Sequence, residues 1–246
     1  MCYAKSLTKS QNEIEEEFNQ NNQIQFATWL EYEPYFHRSA FTKQNIYIIP
    51  QDDNTFIYPA AWGLIPGYAQ EDPESFRKKY STANARKENV FESPVYRNSI
   101  RSKRCLILAD GFFEPHTVGK ESQPYYFHLE DRKLFCFAGV YNELGSDFYT
   151  SALITVPANE LFAKVHNKKP AKSSTHRMPL VLNEDLYWEW LNPDTPEDKI
   201  KELMNVGFTR DDFTTYPVSN VINKNRGYNE PDILEPVPPL DIFLDV

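Results

Sequence analysis

At 246 residues with 41% apolar and 15% aromatic content, the chain can bury one full hydrophobic core, and no stretch approaches the roughly 20 apolar residues of a membrane span. A net charge of −9 argues against a phosphate-binding surface spread over the whole body, because Lys and Arg supply most non-specific DNA affinity. Cys2, Cys105 and Cys136 lack the spacing of a zinc site or a disulfide framework, so reduced thiols, no metal and no cofactor are expected.

Met1 to Ser10 carries Lys5 and Lys9 without the apolar core of a secretory signal, which predicts a cytoplasmic protein. Ser10-Gln11-Asn12-Glu13 is a capping-box pattern, and Ile14 and Phe18 follow four residues apart, predicting a helix from Gln11 to Asn19. Branched and aromatic runs predict strands at Asn45–Ile49, Cys105–Ala109, Leu134–Val140, Ala152–Val156 and Met178–Leu182. Turn signals at Asp110-Gly111 and Leu144-Gly145-Ser146 separate them. A second helix is signalled by Thr195 as cap, Pro196 at the first helical position, a face of Ile200, Leu203 and Met204, and Gly207 as stop. No regular strand–helix alternation and no internal repeat is present, so the expected class is α+β: a strand-rich single domain over residues 1–236 with a few short helices. Residues 237–246 are expected to form a Pro-rich acidic tail, extended on the body or disordered.

Charge is segregated along the chain. From Arg77 to Arg104 nine cations face two acids, a net +7, and from Lys164 to Arg177 five cations meet no acid. Such segregation permits a basic face on an acidic body, although clustering in sequence is equally compatible with scattered solvated side chains.

Cys2 is the sharpest chemical feature. Methionine is trimmed ahead of a small second residue, which would leave a cysteine whose α-amine and thiol sit on adjacent carbons. Near neutral pH both retain a reactive fraction. The amine condenses with an aldehyde, the thiolate adds to the imine carbon, and a five-membered thiazolidine closes intramolecularly. A second-position cysteine is also an ordinary accident of sequence, and on its own Cys2 leaves both readings open.

Further motifs follow in order: Trp62-Gly63-Leu64-Ile65-Pro66, Ser81-Thr82-Ala83-Asn84-Ala85-Arg86-Lys87-Glu88, Ala109-Asp110-Gly111-Phe112-Phe113-Glu114, and Ser174-Thr175-His176-Arg177-Met178-Pro179. Together with Met1-Cys2 this ordered set resembles the SOS response-associated peptidase (SRAP) family, with Tyr216-Pro217-Val218-Ser219 and residues Asn223 to Asn225 extending the likeness to about Pro236. The resemblance implies a single mixed domain that, after autocatalytic removal of Met1, binds single-stranded DNA and crosslinks the ring-opened aldehyde of an abasic site, shielding it from strand cleavage. It implies Cys2 as nucleophile and imine-former, Asn84 orienting the N-terminus or the opened sugar, and Glu114 and His176 transferring protons. The setting Phe112-Phe113-Glu114 predicts a carboxyl raised toward acid duty. Arg86 and Arg177 are the expected phosphate contacts, and Trp62 and Phe41 the expected stacking surfaces.

A monomer without membrane attachment is expected, associated with the nucleoid when bound to DNA. Ala4 stands where many members carry Arg, His37-Arg38-Ser39-Ala40-Phe41 replaces a proline-containing element, and Pro115 replaces a frequent tryptophan. Two other functions remain open: a cysteine peptidase using Cys2 and His176 on protein substrates, and a non-covalent single-stranded DNA-binding module.

Overall fold

The computed structural model describes residues 2–19, 24–42, 44–145, 148–168, 175–206 and 212–240. Two sheets carry the fold. The first has five strands in the order Phe213–Pro217, Glu121–Leu129, Gly111–Val118, Ala4–Leu7, Tyr35–Ser39. The second has nine and runs Arg177–Pro179, Tyr149–Pro157, Phe135–Glu143, Arg104–Ala109, Asn45–Pro50, Phe56–Trp62, Gln25–Phe26, with Val181–Leu182 and Asn84–Arg86 paired off that path. Because Tyr149–Pro157 pairs with Phe56–Trp62 as well as with Phe135–Glu143, five of these strands close a ring. With short helices and no βαβ alternation, the class is α+β and strand-rich, as expected.

The five predicted strands all lie in the nine-stranded sheet, where both faces are buried. Arg104–Ala109 is buried at every position, and Phe135–Glu143 at its first seven. Strands covered on both faces read as unbroken apolar runs, which is why they were legible. Two details differ. Met178–Leu182 is two short strands, because Leu180 leaves one ladder for the other: its amide donates to Ile154 and its carbonyl accepts from Ala138. Thr195 does not cap its helix. Its hydroxyl donates to the Glu189 carbonyl at 2.7 Å, and the first helical bond, from the Ile200 amide, ends on Pro196. The helix is Glu197–Val206; Gly207 lies outside the described residues.

The N-terminal helix, Gln11–Phe18, has the predicted capping box, with Ser10 and Glu13 each satisfying the other's backbone amide. Gly111 links the two sheets directly after Asp110. A Cβ there would lie 2.1 Å from the Tyr126 hydroxyl oxygen, so the chain's passage from one sheet to the other requires glycine. The Pro-rich segment lies on the body as far as Leu240: Gln123 donates to the Pro238 carbonyl at 3.0 Å and accepts from the Leu240 amide at 2.8 Å. Residues 241–246 lie outside the described residues. No helix among the described residues is long and apolar enough to cross a membrane.

Candidate functional site

The short strand Ala4–Leu7 lies between Gly111–Val118 and Tyr35–Ser39, with Ala4 opposite both Phe113 and Ser39. That antiparallel register brings the Cys2 end of the chain beside Glu114. Cys2 is fully buried and its thiol donates weakly to the Ala4 carbonyl. Burial pushes the thiol well above its ordinary range and the Glu114 carboxylate adds to the effect, so it is a thiol, not a thiolate, in the chain that still carries Met1.

Asn84 comes from the opposite sheet. The Asn84–Arg86 strand runs parallel to Tyr149–Pro157, with Asn84 opposite Leu153, and the Asn84 amide nitrogen donates to the Cys2 carbonyl at 2.9 Å. Its amide oxygen is buried and has no hydrogen-bond partner among the described residues. Such an oxygen is an acceptor without a donor, a costly arrangement suited to holding an N–H. Tyr96 fixes the strand by donating to the Asn84 carbonyl, and Trp62 fixes the preceding loop by donating from its ring nitrogen to Ala83 at 3.1 Å.

Glu114 and His116 alternate on one face of their strand, as the two-residue period of a strand requires, and both meet the end of the Glu160–Val165 helix. Asn159 caps that helix and the chain turns at His166. His166 Nδ1 lies 2.8 Å from Glu114 Oε2, and His116 Nδ1 lies 2.8 Å from the Val165 carbonyl. Asn167 clamps Thr117 twice, accepting from its amide at 2.9 Å and donating to its carbonyl at 2.8 Å. The imidazole of His166 is therefore held against Glu114 by a register of four contacts.

The expected rise in the Glu114 pKa is overturned. Burial does push it up, but the positive charge of the chain's amino terminus and that of His166 outweigh burial and hold the carboxyl below the usual range. It is a carboxylate at neutral pH. His176, expected as a direct proton-transfer partner, stands one step behind: its Nδ1 donates to the His166 carbonyl at 2.8 Å. Sequence reasoning missed His166. The available signal was a second histidine ten residues earlier in the same basic run, just past a helix with a readable Asn cap.

The expected DNA contacts separate into two kinds. Arg177 is buried, with one guanidinium nitrogen 2.5 Å from Glu88 and another donating to the Thr155 carbonyl, so it braces the Tyr149–Pro157 edge rather than facing outward. Arg86, half-buried at the end of its strand on the same sheet, has no ion pair or side-chain hydrogen bond among the described residues, and its charge acts on Tyr3. Phe41 is 51% exposed and stacks on Tyr3 at 4.9 Å between ring centres. Trp62 is buried but lines a cavity of about 380 Å³ with Tyr3, Phe41, Lys78, Lys79 and Ser81. The remaining basic run disperses: Arg101 pairs with Glu197, and Arg104 is buried with its guanidinium on carbonyls of Trp190, Asn192, Ile100 and Arg101. In the second run, Lys169 and Lys172 lie outside the described residues. Among the described residues no group of three His, Cys, Asp or Glu is placed to hold a metal ion.

The family model for SOS response associated peptidase (SRAP) matches residues 1–225. The chain belongs to the SRAP family. It is 33% identical over 242 residues to the abasic site processing protein YoqW of Bacillus subtilis (strain 168), covering 96% of this chain and 99% of that protein. The abasic site processing protein YoaM of the same organism is 31% identical, covering 96% and 98%. The crystal structure of a protein from Bacteroides thetaiotaomicron superposes with a TM-score of 0.78 at 28% identity, covering 96% of this chain and all of that one. In this SRAP chain, then, the residues drawn together around the N-terminus are Cys2, Asn84, Glu114 and His166, with His176 behind them.

Proposed function

We propose that this protein processes abasic sites in single-stranded DNA by forming a covalent thiazolidine through Cys2 after it has removed its own Met1. The observation that carries the reading is the convergence, at the chain's own terminus, of a cysteine, an unpartnered amide oxygen on Asn84, and a buried carboxylate paired with a histidine. The names of the relatives supply the substrate class.

Glu114 is ionised at neutral pH and so meets the freed terminus in the form that can accept a proton, although its lowered pKa makes it a weak base. Once hydrolysis of the Met1–Cys2 bond frees the α-amine, Glu114 takes the ammonium proton and the amine adds to the C1′ aldehyde of the opened sugar, giving a carbinolamine. Glu114, now protonated, returns that proton to the hydroxyl, which departs as water and leaves the protonated imine. The thiol then adds to the imine carbon; its proton passes to the nitrogen and the five-membered ring closes. His166 stabilises the carboxylate between these steps by donating from Nδ1. Asn84 Oδ1 accepts an N–H from the Cys2 amine and orients its lone pair toward the aldehyde carbon.

Self-removal of Met1 is the peptidase activity we assign. Full burial of Cys2 disfavours attack on other proteins. The test is denaturing gel electrophoresis of Met1-processed protein with abasic single-stranded DNA. A heat-stable shifted band that requires both the lesion and Cys2 is expected, and its persistence in Cys2→Ala would overturn the mechanism. Casein turnover dependent on Cys2 would restore the general-peptidase reading.

A further inference from the structure

A second cavity, of about 200 Å³, opens on the other side of the Tyr3–Phe41 stack from the one that holds Trp62, Lys78 and Lys79. It is lined by Ala4, Ser39, Phe113, Asn223 and Arg226, with Glu114 also contributing. Arg226 was not among the residues that the sequence singled out. Its guanidinium lies 4.3 Å over the Phe41 ring and makes no ion pair or hydrogen bond among the described residues, although the chain offers 35 acidic side chains. A guanidinium stacked on an aromatic ring keeps its edge donors free.

The loop that carries it is tightly pinned. Asn229 accepts from the amides of Phe36 and His37 at 2.9 and 3.0 Å, His37 Nδ1 meets the Tyr228 carbonyl at 3.0 Å, and Asn225 accepts from the Gly227 amide at 3.1 Å. These bonds tie residues 225–229 to the edge strand Tyr35–Ser39, so Arg226 is held over the cavity in a fixed place. The carboxylate lining that cavity, Glu114, is engaged by His166, whose Nδ1 lies 2.8 Å from its Oε2. Ala4 contributes only a methyl group to the same wall, which leaves Arg226 as the cation lining this cavity among the described residues.

We propose that Arg226, pre-organised by Phe41, holds the DNA phosphate on one side of the abasic sugar while Arg86 holds the phosphate on the other, so that the lesion is presented to Cys2 across the Tyr3–Phe41 stack. This rests on the proposed abasic-site reading and adds to it a residue outside the catalytic group. Two unpaired guanidiniums flanking one reactive terminus fit a phosphodiester backbone passing through it, because each fork matches a pair of phosphate oxygens.

The test uses two abasic oligonucleotides, one with unmodified nucleotides only 5′ of the lesion and one with them only 3′, and follows crosslinking rate against salt for the wild type, Arg226→Ala and Arg86→Ala. Arg226→Ala is expected to slow crosslinking roughly three- to tenfold on one oligonucleotide only, with the log–log salt slope lowered by about 0.7, and Arg86→Ala to do the same on the other. Phe41→Leu should give part of the Arg226→Ala effect, and the double variant should be no slower than Arg226→Ala alone. Equal rates for Arg226→Ala and the wild type on both substrates, or equal losses on both, would overturn the assignment while leaving the abasic-site reading intact. Failure of the wild type to crosslink either substrate would instead overturn that reading and this one with it.

Discussion

Lys5 sits three residues from Cys2 on the strand that delivers it, and it is fully buried. Its ammonium donates to the Tyr35 hydroxyl and the Leu108 carbonyl, and no carboxylate lies within ion-pair distance among the described residues. Burial, aided by the nearby Arg38 charge, lowers its pKa from the ordinary 10.5 to about 7. At about 1.36 kcal/mol per pH unit, that separation corresponds to about 5 kcal/mol of penalty for carrying the charge inside. The sign follows from proton uptake. Between pH 7 and 10.5 the unfolded chain binds the proton and the folded chain does not, so this group makes stability rise with pH across that window, and its penalty is complete below it. From pH 7 to pH 9 the recovery is about 2 kcal/mol. Urea denaturation of wild type and Lys5→Met at pH 7, 8 and 9 isolates it, because the buried thiols and tyrosines titrate in both proteins. The wild type should gain about 2 kcal/mol relative to Lys5→Met across the series, whatever the offset from the two lost hydrogen bonds. Parallel curves would refute the reasoning and mean that Lys5 holds its proton throughout.

Glu114→Gln should lower the crosslinking rate by about 10²- to 10³-fold, read from single-turnover gels. Because the folded pKa of Glu114 is depressed, its ionised form supports the fold above about pH 4.5, and that support is lost as pH falls through the folded value; urea midpoints between pH 6 and pH 3 should therefore be flatter in Glu114→Gln. His166→Ala should cost about 10²-fold in crosslinking, whereas His176→Ala, which removes only a bond to the His166 carbonyl, should cost less than about 10-fold; the reverse order would return the proton-transfer role to His176. Arg177→Ala should destabilise by about 1–3 kcal/mol in urea while leaving the salt slope of DNA binding unchanged, since its guanidinium is engaged by Glu88 and Thr155.

How the site was and was not legible follows from where burial falls. All five predicted strands belong to the nine-stranded sheet, whose continuous apolar runs announce themselves in a single sequence. Every strand of the five-stranded sheet was missed. Its segments interleave Lys5, Ser6, His37, Glu114, His116, Gln123 and His128 with apolar residues, and these polar side chains are buried because partners across the sheet and in distant loops satisfy them. A buried polar residue looks like a surface residue until its partner is known.

The order of motifs along the chain identified the family and Cys2, Asn84 and Glu114 as a group, and local caps and apolar runs located the first helix and four of the five ring strands, missing Phe56–Trp62. Each motif, cap and apolar run is itself a signal of a few consecutive residues, where chain connectivity alone enforces proximity. Tertiary structure decided which histidine meets Glu114, that the carboxyl is lowered rather than raised, that Arg177 is braced inside, and that Arg226 lies over Phe41. Each of these depends on charges and donors brought together from positions 52 to 185 residues apart, and the sign of an electrostatic effect is set by that neighbourhood rather than by the residue itself.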